Sequence, residues 1–284
     1  MGSFRTPSLT ALLIASVAVG AALLSQCNSK GNGAPHVPNA PRAEPAAVPS
    51  SRSEPQTPRT TEAVAPAAPD ASDAARPTEK AALRVAILGD SLSDGRVGGG
   101  GYWKYVKQQC PQSQFDDFGK GGDMVNMMRA RFFRDVMNED GRSVAGVRYT
   151  HVVVFGGVND LYSDLTAGRT VAKIGRDLTR VYQASRKHGA RVVAISVAPW
   201  GGFTKYFNDR RGQATLRLNT WILSQKSSGE VDVAIDAYPL LSCGTPTHLC
   251  KEYAHPIRDG LHFGKKGHEV LGKALYDAAF SDCL

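Results

Sequence analysis

After Lys80 the chain carries short apolar runs rich in β-branched residues, at residues 85–88, 152–155, 192–197 and 231–235, separated by stretches with helical periodicity. Runs of this kind, apolar at successive positions rather than alternating, mark strands covered on both faces. Between them Val171, Ile174, Leu178 and Val181 recur at helical spacing, and Val270, Leu271, Ala274, Leu275 and Ala278 do the same near the C-terminus. A fifth, shorter strand is expected over residues 114–118. This alternation predicts an α/β domain: three layers, with a mostly parallel sheet of about five strands between helices. In such sheets functional groups gather at the carboxyl ends of the strands.

The first 80 residues read differently. Residues 1–27 have Arg5 in a short basic start, an uncharged apolar run over residues 9–24, and then Ser25-Gln26-Cys27. This is the layout of a secretory signal, and the run is shorter than the roughly 20 residues a spanning helix needs. Leu24-Ser25-Gln26-Cys27 resembles a lipoprotein cleavage box, with Gln26 where a small residue is usual. Lipidation at Cys27, simple cleavage and an uncleaved anchor all remain open. Residues 28–79 form a linker: residues 34–77 hold ten of the sixteen prolines and no Phe, Trp or Tyr. Such a segment buries too little apolar surface to offset its conformational entropy, and its proline keeps it extended. Residues 80–284 are left as one catalytic domain, exported to the periplasm or cell envelope.

That domain is basic. Residues 79–284 contain 28 Lys+Arg and 21 Asp+Glu, a difference of +7 out of +8 for the whole chain. A basic surface suits anionic polymers or envelope surfaces. The chain has no clustered basic run or zinc-finger spacing, so nucleic acid is not the expected partner. Setting Cys27 aside leaves Cys110, Cys243, Cys250 and Cys283, an even number that suits two disulfides in an oxidising compartment. Cys243 with Cys250 closes a short loop and leaves Cys110 with Cys283. The competing reading, a metal site of Cys243, His248 and Cys250, lacks the paired spacing of structural zinc sites.

Chemistry concentrates in two places. Gly89-Asp90-Ser91-Leu92-Ser93 follows the first strand directly, and Asp259-Gly260-Leu261-His262 precedes the last helix. A serine hydroxyl is a weak nucleophile until a histidine takes its proton, and an acceptor must hold that histidine in one tautomer. Ser91, His262 and Asp259 supply the three groups. The spacing from Asp259 favours His262 as base over His255 and His268, while His151 opens a buried strand and reads as structural. Ser93 replaces the last glycine of Gly-x-Ser-x-Gly, which argues against the nucleophile elbow of α/β-hydrolases.

Four segments resemble the conserved blocks of the SGNH, or GDSL, hydrolases, and the resemblance spans nearly all of residues 82–284. Gly89-Asp90-Ser91-Leu92 resembles the first block, Asp117-Phe118-Gly119-Lys120-Gly121-Gly122-Asp123 the second, Gly157-Val158-Asn159-Asp160 the third and Asp259-Gly260-Leu261-His262 the fifth. Asp117 stands where asparagine is common, and Lys120 adds a charge; both bear on substrate more than on catalysis. The resemblance implies a flavodoxin-like fold and a serine esterase with Ser91, His262 and Asp259 as the triad. It also implies an oxyanion hole made by the backbone N–H groups of Ser91 and Gly122 and the side-chain amide of Asn159. Asp90 and Asp160 read as loop-orienting groups.

No cofactor or metal is expected, and a monomer is. The expected substrate is a small-molecule or glycan ester, short acyl groups on carbohydrate first, with a lysophospholipase, thioesterase or arylesterase of the same fold as alternative. A silent glycan- or lipid-binding module is the non-enzymatic one. The aromatic and basic segment after the fourth strand offers Trp200, Phe203, Arg210 and Arg211 as substrate contacts, or else packs on the domain as a cover. Residues 98–101 lack the Lys-Ser/Thr of a phosphate loop and read as a mobile segment. Met124, Met127, Met128, Phe132 and Phe133 read as helix core.

Overall fold

A computed structural model describes residues 81–96 and 101–284; the leader, Cys27, the linker and most of the 98–101 segment lie outside the described residues. Five parallel strands, β1 (Arg84–Gly89), β2 (Gln114–Gly119), β3 (His151–Phe155), β4 (Arg191–Ile195) and β5 (Val233–Ile235), form one sheet in the order β2-β1-β3-β4-β5. Successive side chains of a strand point to opposite faces, so each strand feeds two cores. Ala86, Leu88, Val152 and Val154 pack on one face with Met128, Phe132, Ile174, Leu178 and Leu218. Val85, Ile87, Val153 and Phe155 pack on the other with Val106, Leu271 and Leu275.

The first face is covered by α2 (Val125–Arg131), α4 (Val171–Lys187) and α5 (Asp209–Ser227), the second by α1 (Trp103–Gln109) and α7 (Lys265–Ala279). Short helices α3 (Val158–Tyr162) and α6 (Ala237–Leu241) follow β3 and β5. Of the Met and Phe cluster, Met128 and Phe132 are buried, but Met127 is 46% exposed and belongs to the surface. No helix among the described residues is long and apolar enough to cross a membrane.

The expected strand at 192–197 ends two residues early, and for a local reason. The side-chain amide of Asn219 on α5 accepts from the Val197 N–H and donates to its carbonyl, replacing a strand neighbour. The expected strand at 231–235 likewise reduces to its last three residues. Cys110 bonds to Cys283 and Cys243 to Cys250. The first joins the end of α1 to the C-terminus. The second closes the loop before the Asp259 segment, and its sulfurs are therefore not thiolates available to a metal.

Candidate active site

In a sheet of this order the chain reverses its direction of winding between β1 and β3, and loops leaving those two strands diverge to open a crevice. Ser91 follows β1 and Asn159 follows β3, so the two groups meet at that switch point. Ser93 and Asp94 N–H groups both donate to the Asp90 carbonyl, which folds the chain into a tight turn with Ser91 at its tip. The Asp90 carboxylate accepts from Leu92 N–H at 2.9 Å and braces the turn from inside.

The histidine arrives from the other end of the chain. Residues 255–262 leave and rejoin the domain through a bridge between Ala254 and Phe263, with His255 N–H donating to the His262 carbonyl. Asp259 caps its own loop: one oxygen accepts from Leu261 and His262 N–H, both at 2.9 Å, and the other faces His262 Nδ1 at 2.5 Å. Burial raises the Asp259 pKa, but the His262 side chain and these backbone donors outweigh it and hold the carboxyl below its usual range. His262 Nε2 then lies 2.9 Å from Ser91 Oγ. With Nδ1–H committed to Asp259, Nε2 is the acceptor for the serine proton.

Three groups are expected to donate to an oxyanion: the N–H of Ser91, the N–H of Gly122 and the side-chain amide of Asn159. Gly122 adopts φ +80°, a conformation costly for any residue with a Cβ, and a Cβ there would project into open space. The N–H groups of Ser91 and Gly122 have no acceptor among the described residues. Asn159, buried, donates from Nδ2 to the Asp123 carbonyl at 2.9 Å and faces Asp90 Oδ2 at 3.4 Å. An amide nitrogen has two hydrogens, and the long contact to Asp90 is the weak one that a substrate oxygen can displace.

Behind this site sit three buried carboxylates, and cations sort them. Asp160 pairs with Arg169 at 2.6 Å and accepts from Val125 N–H. Asp123 pairs with Arg131 at 2.6 Å. Asp90 pairs with no Lys or Arg among the described residues; burial, with Asp160 and Asp123 nearby, pushes its pKa up to about 7 against the pull of Leu92 N–H and His262. Arg131 does more than neutralise: it also donates to the carbonyls of Phe118 and Gly89, the last turns of β2 and β1. It therefore locks the two loops that carry Gly122 and Ser91. Neither Arg131 nor Arg169 was identifiable from the sequence, where an arginine near a helix reads as a solvated charge.

Of the aromatic and basic segment, one residue belongs to the core and the others pair or pack within the domain. Trp200 is fully buried and spends its indole N–H on Thr215 Oγ1 at 2.9 Å, which corrects the expectation that it meets substrate. Arg211 and Arg210 both pair with Asp164, at 2.8 and 2.6 Å, and Phe203 packs half-buried against Tyr162 and Tyr206. The segment also braces the loop that carries the base. Gly260 has φ +78°, and a Cβ on it would overlap the Gly202 carbonyl carbon, so the two backbones pack directly. Gly201 N–H donates to Thr247 in the disulfide loop at 2.7 Å. A cavity of about 260 Å³ opens beside Ser91 and His262, walled by Leu92, Ile257 and Phe263.

With this geometry in place, known proteins give the family. The model of the GDSL-like lipase/acylhydrolase family matches residues 87–270, well over half of the chain. The chain belongs to that family. It is accordingly an SGNH-type hydrolase acting on ester bonds. Similar solved structures include a GDSL-like lipase from Bacteroides thetaiotaomicron, 18% identical, covering 69% of this chain and 86% of that one with a TM-score of 0.55. A lipase/acylhydrolase from Enterococcus faecalis is 20% identical, covering 69% and 94%, TM-score 0.53. A catalytic mutant of an acetylxylan esterase from Geobacillus stearothermophilus is 13% identical, covering 72% and 98%, TM-score 0.53. At these identities they speak for the fold. A search of curated proteins found no match.

Proposed function

We propose that this hydrolase is an exported serine esterase that removes short acyl groups, acetyl foremost, from carbohydrate. The observation that carries the mechanism is the continuous chain from Ser91 Oγ to His262 Nε2 at 2.9 Å and from His262 Nδ1 to Asp259 at 2.5 Å. His262 takes the Ser91 proton as Oγ attacks the ester carbonyl carbon. The oxygen becomes an anion facing Ser91 N–H, Gly122 N–H and Asn159 Nδ2. His262 returns the proton to the departing alcohol oxygen as the ester bond breaks. Water, deprotonated by the same imidazole, attacks the acyl-enzyme, and the proton goes back to Ser91 as the acid leaves. Asp259 stabilises the imidazolium in both halves.

The carbohydrate reading draws support from the acetylxylan esterases that share the fold and from the basic domain. Two disulfides support an oxidising compartment and hence export. Attachment through Cys27 is tested by mass spectrometry of the mature N-terminus, where an acylated cysteine supports a tether and an unacylated one ends it. The function is tested by turnover of a p-nitrophenyl ester series, acetyl to long acyl, with Ser91→Ala as control. Fastest turnover of acetate, lost in the variant, is the expected result. A preference for long chains moves the assignment to a lipid or thioester role, and no turnover above the variant removes the esterase reading.

A further inference from the structure

The cavity beside Ser91 contains His262 but neither Gly122 nor Asn159. The carbonyl oxygen of a reacting ester must face the oxyanion donors, and the alcohol oxygen must face the histidine that protonates it. A cavity on the histidine side is therefore the place for the alcohol. Its volume, about 260 Å³, lies just below that of most ligand pockets, which run about 300–1,000 Å³. A space of that size takes a single ring.

Two more imidazoles line this cavity, and neither takes part in the triad. His268, on α7, is 7% exposed and stacks edge-on against Phe263 at 5.3 Å. Its Nδ1 is buried without a hydrogen-bond partner among the described residues. Burial first, then the nearby His262, Lys104 and His255, pushes its pKa down to about 4, so the ring is neutral at neutral pH. A neutral ring has one N–H, and a buried donor left unpaired costs more than an unpaired lone pair. The hydrogen therefore belongs on Nε2. His255 reaches the same tautomer by another route: its Nδ1 accepts from Ile257 N–H at 3.3 Å, which leaves the hydrogen on Nε2. Both rings thus hold an Nε2–H that no group among the described residues accepts.

We propose that this cavity is the alcohol-side subsite, and that His255 and His268 select a hydroxyl-bearing ring, one monosaccharide unit of an acylated glycan, by donating Nε2–H bonds to its oxygens while Leu92, Ile257 and Phe263 cover its apolar face. The inference rests on the esterase reading above. It gives a use to two imidazole N–H groups on residues that line an apolar-walled pocket, which a hydrocarbon chain cannot satisfy.

The test is steady-state kinetics of the full chain on two acetates, an O-acetylated methyl glycoside and p-nitrophenyl acetate, whose leaving group carries no hydroxyl. The quantity read is the ratio of kcat/KM on the glycoside to that on the aryl ester. His268→Leu and His255→Leu should each lower the ratio about three- to tenfold, chiefly through KM, as expected for losing one neutral hydrogen bond. His268→Gln and His255→Gln, which keep an N–H donor, should recover most of it. Melting temperatures of all four variants establish that they fold. An unchanged ratio in the Leu variants overturns the proposal, and so does an equally lowered one in the Gln variants. Wild-type turnover of the aryl acetate without any of the glycoside ends the subsite assignment and leaves the esterase reading standing; failure on both esters ends both.

Discussion

Ser91 and His262 stand 2.9 Å apart, yet the halves of the molecule that bring them there are held by unlike means. The Ser91 half is tied by charge: Arg131 grips Asp123 and the carbonyls that end β1 and β2, and Arg169 grips Asp160 under Asn159's helix. The His262 half is tied by shape and covalent closure. Gly260 lies against Gly202, the Gly201 backbone meets Thr247, and the Cys243–Cys250 bond closes the loop that carries Thr247. Strand ends with exposed carbonyls and buried carboxylates call for cations. A loop returning over the surface has neither, and close backbone approach gives it one conformation.

The two halves share packing through Leu261 and Phe263 but meet in the reaction at Ser91 and His262, so the largest effects should come from groups that touch the reaction. His262→Ala should cut ester turnover by about 10⁴-fold or more with little change in Tm. On the Ser91 side, Asn159→Ala should cost about 10²–10³ in kcat, the range for one oxyanion donor, and kcat should fall far more than KM rises. Comparable loss in KM would mean that Asn159 binds the ground state instead.

Breaking each tie separates the halves further. Gly260→Ala must accept both a left-handed backbone and overlap with Gly202, which should destabilise by about 2–4 kcal/mol and lower kcat together. Denaturant unfolding with parallel assays reads both. The disulfides should rank by the length of chain they close. On the chain-entropy account, losing Cys110–Cys283, 173 residues apart, costs on the order of 5 kcal/mol, against about 2–3 for Cys243–Cys250, 7 apart. Only the short one should reduce activity at temperatures where both variants remain folded.

The smallest effect is a contrast in pH. Asp90, on the nucleophile side, has its pKa raised from 3.8 to about 7. The folded state keeps a proton that the unfolded chain has released, so this stability is full below pH 3.8 and is lost as pH rises to about 7. His268, on the base side, is lowered from 6.5 to about 4. Here the unfolded chain gains a proton first, so stability is present above pH 6.5 and is lost as pH falls to about 4. Relative to wild type, Asp90→Asn should therefore gain stability as pH rises through this range and His268→Gln as it falls. Thermal unfolding from pH 4 to 8 gives both slopes, and parallel slopes would remove the contrast.

The sheet was legible because its strands are covered on both faces and so read as unbroken apolar runs. Ser91, Asp259 and His262 stood out because a nucleophile, an orienting carboxylate and a base follow a strand or precede a helix, and Asn159 stood out through the resemblance of its block. What escaped was whatever depends on a partner far away in sequence. Arg131 acts through carbonyls 13 and 42 residues distant. Trp200 looked like a ligand platform because its neighbours are aromatic and basic; Thr215, on α5, decides that it belongs to the core. The roles of His255 and His268 depend on a cavity formed only when the last loop folds over Ser91.

Catalysis as proposed turns on Ser91 acting as a nucleophile activated by His262. The most direct measurement is reaction of the full chain with a fluorophosphonate, followed by intact mass and peptide mapping. The account predicts one adduct on the peptide that contains Ser91, none on Ser91→Ala, and much slower labelling of His262→Ala. A Ser91→Ala protein that still hydrolyses esters and still takes one adduct elsewhere would contradict it.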